Sequence, residues 1–136
     1  MAKSTKSIEE KIEDIAKKQL DINQVRYFAK TESINTEIDE ALTKAESKSG
    51  GKGGNYPDIK LLIELPEMKR IPVMIEVKGR KDDLAKLGKD GNVLNFNEKG
   101  EAIYENIKRY AVNGAVHYAQ AIINYSKSFQ EVIAID

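Results

Sequence analysis

Residues 55–81 read NYPDIKLLIELPEMKRIPVMIEVKGRK, and this stretch decides the fold that the chain is expected to adopt. Apolar residues occupy every second position in two runs, at Ile59, Leu61, Ile63 and Leu65 and then at Val73, Ile75 and Val77. Because successive side chains of a strand point to opposite faces, each run predicts a strand with an apolar face. Two neighbouring strands joined by a short turn would bring Asp58, Glu76 and Lys78 out together on the other face.

Two carboxylates and one ammonium on such a strand pair require an explanation, because a buried charge is costly unless it is paired or bound to a metal. The carboxylate oxygens of Asp58 and Glu76 are hard ligands that suit Mg²⁺ or Mn²⁺. Lys78, two residues after Glu76, can hold a water or hydroxide beside the metal or neutralise developing negative charge. These groups are the ones that metal-assisted attack of water on a phosphodiester requires.

Pro57-Asp58 is followed 18 residues after the Asp by Glu76-Val77-Lys78, a pattern that resembles the signature of the PD-(D/E)xK nuclease superfamily. The resemblance implies that Asp58, Glu76 and the Val77 carbonyl hold Mg²⁺ or Mn²⁺ and that Lys78 positions the attacking water. The alternative interpretation is a cluster of surface salt bridges on an ordinary α/β domain, which contributes little to stability.

Members of this superfamily often bring one more Glu to the site from the helix that precedes the two motif strands. The resemblance makes Glu37 the candidate for that role, because it flanks the apolar stripe of a helix predicted over about residues 34–47. Glu32 and Glu40 are rival candidates. For each of the three, the alternative is an acidic helix face in contact with solvent.

Three further passages resemble the N-terminal nuclease region of single-chain restriction–modification enzymes: residues 31–42, the glycine-rich residues 48–57, and residues 111–119. The resemblance implies a Mg²⁺-dependent endonuclease that cuts double-stranded DNA. It also implies that methyltransferase and target-recognition regions follow in the same longer chain. We therefore expect residues 1–136 to be a single nuclease-like domain and an N-terminal fragment, since the sequence stops inside a predicted strand.

A function from a different class is also compatible with these residues, namely a non-catalytic nucleic-acid-binding or assembly module on the same fold. The presence of all three motif residues favours the endonuclease.

Composition limits the remaining possibilities. The chain has 136 residues, enough for one domain with a core, and 22 basic residues balance 22 acidic ones. The absence of Cys excludes disulfides and thiolate zinc sites and predicts a reducing cytoplasm, while a single His excludes a multi-histidine zinc site. No apolar run is long enough to span a membrane. Residues 69–89 carry seven basic and three acidic side chains, so a basic surplus lies beside the proposed site.

The N-terminal half of the chain is predicted to contain two helices. Ser7 is positioned to cap a helix that runs to about residue 20, and a second helix covers about residues 34–47. Residues 21–31, between the two helices, fit a helix extension and a short edge strand equally well. The glycine-rich loop that follows is either a connector or a mobile loop with Lys48 and Lys52 near phosphate.

The C-terminal half is predicted to return to helix over residues 101–127, with a kink or split at Asn113-Gly114, and to end in a strand within 129–136. A short strand or hairpin arm is expected at residues 93–96. The order helix, helix, strand, strand, helix, strand predicts an α/β fold with a mixed central β-sheet flanked by helices. This order also matches the restriction-endonuclease-like core that the resemblance implies.

Overall fold

The computed structural model describes residues 7–52 and 54–136, so Gly53 of the glycine-rich loop lies outside the described residues. These residues form four α-helices and four strands, with two short 3-10 helices at Pro66–Met68 and Lys81–Asp83. The elements are α1 (Ile8–Ile22), β1 (Phe28–Ala29), α2 (Thr36–Lys44), β2 (Ile59–Glu64), β3 (Arg70–Ile75), α3 (Tyr104–Arg109), α4 (Ala111–Tyr125) and β4 (Ile133–Ile135).

The four strands make a single mixed sheet in the order β1-β2-β3-β4. The β2–β3 pair is antiparallel, as the stretch 55–81 predicts, and Leu61 lies opposite Val73. β1 pairs antiparallel with β2, whereas β4 pairs parallel with β3. The α/β class with a mixed sheet and helices is therefore confirmed.

Both faces of the sheet are covered, which the alternating pattern did not predict. On one face, Ile59, Leu61, Val73 and Ile75 form a buried cluster against Ala16 and Leu20 of α1. On the other face, Met74 and Leu62 pack against α2 and α4. Each isoleucine side chain that is fully buried in this way contributes about 1.5–3 kcal/mol to stability. Lys60, which alternates with these apolar residues along β2, is consequently buried on the α2 side of the sheet.

The helix boundaries in the N-terminal half follow from two caps. The Ser7 hydroxyl accepts a hydrogen bond from the Glu10 N–H at 3.1 Å, as predicted, and α1 continues to Ile22. Asn35 Oδ1 accepts from the Ile38 N–H at 2.9 Å, so α2 begins at Thr36. The undecided segment between the helices contains β1, a short edge strand.

The C-terminal helix is split, but at a different place from the one predicted. The break lies at Tyr110, whose φ of −102° and ψ of 134° are extended, and both Asn113 and Gly114 lie inside α4. Asn113 is fully buried, and its side chain bonds the backbone of Lys86 and the side chain of Asn95. These bonds hold the polar 79–100 segment against α4. Within residues 93–96, Val93 forms an isolated antiparallel bridge with Leu87 and Phe96 forms one with Ala102, which fits the hairpin-arm alternative better than a continuous strand.

No helix within the described residues combines the length and the apolar character needed to cross a membrane.

Candidate metal-binding site

Asp58 and Glu76 meet where β2 begins and β3 ends. Ile59 lies opposite Ile75 in the antiparallel register, so the residues just outside this pair, Asp58 and Glu76, are neighbours. The Asp58 N–H donates to Glu76 Oε1 at 3.0 Å, and the Val77 N–H donates to Asp58 Oδ2 at 2.9 Å. Each carboxylate thus accepts a backbone hydrogen bond from the other motif strand, which fixes the two side chains side by side. We call Asp58 and Glu76 the acidic pair.

Each remaining oxygen of the acidic pair faces an ammonium. Lys30 Nζ lies 3.1 Å from Asp58 Oδ1, and Lys48 Nζ lies 2.8 Å from Glu76 Oε2. The two ion pairs differ in exposure, because the Lys30 side chain is 55% exposed and the Lys48 side chain is 23% exposed. The outward oxygens of the pair therefore already attract positive charge in this structure.

The position of Lys30 follows from the edge strand β1. Ala29 pairs with Ile59, so the residue after β1 reaches the start of β2, where Asp58 stands. The buried Lys60 ammonium donates to the backbone carbonyls of Lys30 and Glu32 and so holds this turn in place. Burial lowers the pKa of Lys60. The hydrogen bond and the charge of Asp58 raise the pKa of Lys30.

Glu76 is the buried member of the acidic pair, with 3% of its surface exposed. Burial raises the pKa of the Glu76 carboxyl, and the nearby charge of Asp58 raises it further. Lys48 and the Asp58 N–H oppose this rise. Burial among these carboxylates also raises the pKa of Tyr118, whose ring lies under the Lys48 ammonium at 5.3 Å from its centroid.

The chain segment before Lys48 is anchored by three side chains. Asn55 Nδ2 donates to the carbonyls of Leu42 and Glu46, both at 2.9 Å. His117 Nε2 lies 2.7 Å from the Glu46 carbonyl oxygen, and the Tyr104 hydroxyl donates to Glu46 Oε2 at 2.7 Å. Burial lowers the pKa of His117. These contacts direct Lys48 toward Glu76.

Lys78, the third motif residue, bonds to a backbone carbonyl and forms no ion pair with the acidic pair in the part of the chain that the structure describes. Its ammonium donates to the Lys108 carbonyl at 3.0 Å, in the last turn of α3. The last carbonyls of a helix lack partners within the helix and carry partial negative charge, so they attract an ammonium. The position of Lys78 beside bound water therefore stays a prediction.

The structure places Glu37 far from the acidic pair. Glu37 Oε1 accepts the backbone N–H groups of Lys127 and Ser128 at 2.9 and 2.8 Å, beyond the end of α4. Gly114, near the start of α4, lies beside the acidic pair, because a Cβ added there would be 3.5 Å from Glu76 Oε2. Tyr125, the last residue of α4, lies about 16 Å further along the helix, and Glu37 contacts the chain beyond that end.

The two rival glutamates do not join the acidic pair either. Glu32 Oε1 accepts the Ala29 N–H at 2.9 Å, and Glu40 lies on the exposed side of α2. No group of three or more His, Cys, Asp or Glu side chains suited to a metal occurs in residues 7–52 and 54–136.

Replacing Glu37 by Gln is expected to lower the free energy of unfolding at neutral pH and to leave any Mg²⁺-dependent cleavage unchanged. Hydrogen bonds from Ser128 and Lys127 lower the pKa of Glu37. Stability that depends on such a carboxylate is present above the ordinary Glu pKa and is lost as the pH falls through the lowered value. Urea denaturation of both proteins should thus give a difference at neutral pH that disappears in acid.

The matched control is Glu40→Gln, which removes a charge from the exposed side of the same helix and should leave stability unchanged. A Glu37→Gln protein that is as stable as the wild type but cleaves DNA poorly would show that Glu37 takes part in the reaction.

The donor chemistry of the acidic pair fits Mg²⁺ or Mn²⁺. Mg²⁺ usually binds proteins through one or two carboxylates and keeps several of its waters, so a third carboxylate is not required. The ammonium groups of Lys30 and Lys48 mark the two oxygens where positive charge is already stabilised. Val77 contributes its N–H to this arrangement, and the role of its carbonyl as a ligand stays a prediction.

A second feature of this region is a cavity of about 720 Å³ on the α1 side of the sheet. Apolar residues of α1 and β4 line it together with Lys78, Arg80 and Lys81. Part of the predicted basic surplus therefore lies next to the end of β3. Glu76 and Val77 also line this cavity, so it adjoins the acidic pair.

Comparison with protein-family models, with curated proteins and with solved structures finds no match for this chain. A functional assignment must therefore be drawn from the acidic pair and its surroundings.

Proposed function

We propose that this chain is a Mg²⁺-dependent DNA endonuclease domain with a restriction-endonuclease-like core. It would hydrolyse phosphodiester bonds of double-stranded DNA, with Mn²⁺ able to replace Mg²⁺. The observation that carries the proposal is the acidic pair itself. Asp58 and Glu76 are fixed side by side by reciprocal backbone hydrogen bonds at the adjoining ends of two strands, and the second oxygen of each carboxylate lies beside an ammonium.

In this proposal the chain supplies a rigid pair of ligands. The N–H groups of Asp58 and Val77 hold the carboxylates in place before any ion arrives, so little ordering is needed on binding. Asp58 and Glu76 would hold the divalent ion, which when bound would supply Lewis-acid polarisation of the phosphate and a more acidic water as the nucleophile. Lys78 would leave the Lys108 carbonyl and orient that water, since its side chain is only partly buried.

The domain would act as the cleavage module of a restriction–modification enzyme. Its balanced charge, 22 basic against 22 acidic residues, supports a division of labour in which other regions supply most of the DNA affinity. The proposed partners are double-stranded DNA and, in the same longer chain, methyltransferase and target-recognition regions. Glu37 has no part in the proposed chemistry, because its carboxylate accepts the backbone N–H groups of Lys127 and Ser128, just beyond the end of α4.

The second candidate function is a non-catalytic nucleic-acid-binding or assembly module on the same fold. One observation favours it: the acidic pair is neutralised by Lys30 and Lys48 while Lys78 is bonded elsewhere. In such a module these contacts would be permanent, and the pair would serve only to join the ends of β2 and β3.

A plasmid-nicking assay distinguishes the two candidates. Supercoiled DNA is incubated with this chain, and with a longer protein that contains it, in the presence of Mg²⁺, Mn²⁺ or EDTA. The endonuclease proposal expects nicking or cutting with either metal and none with EDTA. Binding of DNA without cleavage by either protein under any of these conditions would favour the non-catalytic module.

A further inference from the structure

We propose that Lys48 is a built-in counter-cation of the metal site, and that a divalent ion must displace its ammonium from Glu76 in order to bind. Lys48 would act as a positioning residue that keeps Glu76 in place until the ion arrives. This inference rests on the proposed metal-dependent function, and it assigns a role to a residue outside the three-residue motif.

Glu76 Oε2 is an enclosed oxygen that already has a cation against it. The Glu76 side chain is 4% exposed, and Lys48 Nζ lies 2.8 Å from this oxygen. A Cβ added at Gly114 would lie 3.5 Å from both Glu76 Oε2 and the Lys48 side chain. Helix α4 therefore packs against both partners of the Lys48–Glu76 contact and leaves little room for a second cation while the lysine is in place.

An ammonium and a divalent ion cannot share this oxygen favourably. Both would lie within a few ångströms of Oε2 in a site with little solvent, where repulsion between like charges is weakly screened. A hydrated Mg²⁺ also needs space for its remaining waters. Binding of the ion and contact between Lys48 and Glu76 are thus mutually exclusive.

Lys48 can leave without disrupting the fold. The residues before it are anchored through Glu46 by Asn55, His117 and Tyr104, whereas Lys48 itself begins the glycine-rich loop. Its long side chain lies across the Tyr118 ring and ends at the acidic pair. Rotation of the side chain alone would move the ammonium out over the site, where the phosphate backbone of DNA would approach.

Lys30 provides a matched comparison on the other carboxylate. It pairs with Asp58 Oδ1 at 3.1 Å, but its side chain is 55% exposed. Water can replace Asp58 as its partner at little cost, because exposed ion pairs contribute little. Lys30 should therefore hinder metal binding far less than Lys48 does.

The test is Mn²⁺ binding to the whole chain without DNA, measured by electron paramagnetic resonance for the wild type, Lys48→Met and Lys30→Met. Lys48→Met is expected to bind Mn²⁺ about tenfold more tightly than the wild type, because the ion no longer displaces a partly buried charge. Lys30→Met should change the affinity by less than about fivefold.

Two outcomes would overturn this role for Lys48. Saturable wild-type binding with unchanged or weaker affinity in Lys48→Met would contradict displacement while leaving the proposed metal site intact. Failure of all three proteins to bind Mn²⁺ would overturn both the role of Lys48 and the proposed metal-dependent function.

A second measurement uses only the wild type and so does not depend on the folding of a variant. Acetylation of individual lysines is followed by mass spectrometry with EDTA or with millimolar Mg²⁺. Displacement predicts that Mg²⁺ makes Lys48 react severalfold faster, while Lys69, paired with Glu131 on the exposed surface, is unchanged. Equal rates for Lys48 under the two conditions, in a protein shown to bind Mg²⁺, would overturn the proposal.

Discussion

Replacing Asp58 by Asn is expected to slow Mg²⁺-dependent DNA cleavage at least about a thousandfold, because the loss of a metal ligand removes several kcal/mol of transition-state stabilisation. The Asn side chain keeps an oxygen that can accept the Val77 N–H, which Asp58 Oδ2 accepts at 2.9 Å in the wild type. The fold should therefore be retained. Cleavage rates of both proteins on the same plasmid, in whichever chain is active, measure the effect.

The matched control for this prediction is Glu131→Gln. Glu131 also pairs with a lysine, Lys69, but its side chain is 65% exposed and lies beside β4 rather than at the acidic pair. This variant should cleave at the wild-type rate. If Asp58→Asn is folded and cuts DNA as fast as Glu131→Gln, Asp58 is not a metal ligand in the reaction.

Replacing Glu76 by Ala is expected to lower the free energy of unfolding in EDTA by about 2–3 kcal/mol, since it breaks a largely buried ion pair and removes a hydrogen-bond acceptor. The substitution leaves the Lys48 ammonium without its carboxylate and the Asp58 N–H without its acceptor. Urea denaturation of the wild type and the variant gives the difference directly. This expected loss of stability is smaller than the loss for a fully buried ion pair, because the Lys48 side chain is 23% exposed.

A double variant distinguishes the cost of leaving the Lys48 charge unpaired from the cost of altered packing. In Glu76→Leu the Lys48 charge stays unpaired, whereas Glu76→Leu combined with Lys48→Met leaves apolar groups on both sides. The double variant should thus be more stable than Glu76→Leu alone. If Glu76→Ala costs no more than Glu131→Ala, the Lys48–Glu76 contact makes no more difference than an exposed pair.

The sequence predicted the strand pair because its apolar positions repeat with the period of a strand. The antiparallel register that follows from a short turn places Asp58 and Glu76 at the same end, and the structure joins them through hydrogen bonds in both directions. The cap at Ser7 was also predictable, since a hydroxyl three residues before Glu10 is a local signal.

The partners of the acidic pair were not predictable, because they depend on contacts between distant parts of the chain. Lys30 reaches Asp58 only because β1, a strand of two residues, pairs with β2, and two residues carry no periodicity. Lys48 lies in a loop rich in glycine, whose direction is set by Asn55 and by side chains from α3 and α4. Its position two residues before the first glycine of the loop gave no sign of a partner.

Two further positions were ambiguous for a different reason. Glu37 lies on the flank of the apolar stripe of α2, where a carboxylate can face either the sheet or the end of a neighbouring helix. Hydrogen bonds to Lys127 and Ser128 settle its contact in the structure. Asn113 was expected at a kink or split of the C-terminal helix, but it lies inside α4, where its fully buried amide bonds the backbone N–H and carbonyl of Lys86.

Mn²⁺ binding measured by electron paramagnetic resonance on the wild type, Asp58→Asn and Glu76→Gln tests the central claim most directly, namely that the acidic pair is a divalent-metal site. We expect saturable binding to the wild type, and a loss of most of that affinity in each variant. Both variants keep an oxygen for the backbone N–H groups that hold the pair, so the loss would report the missing charge. Wild-type protein that binds no Mn²⁺, or variants that bind it as tightly as the wild type, would contradict the claim.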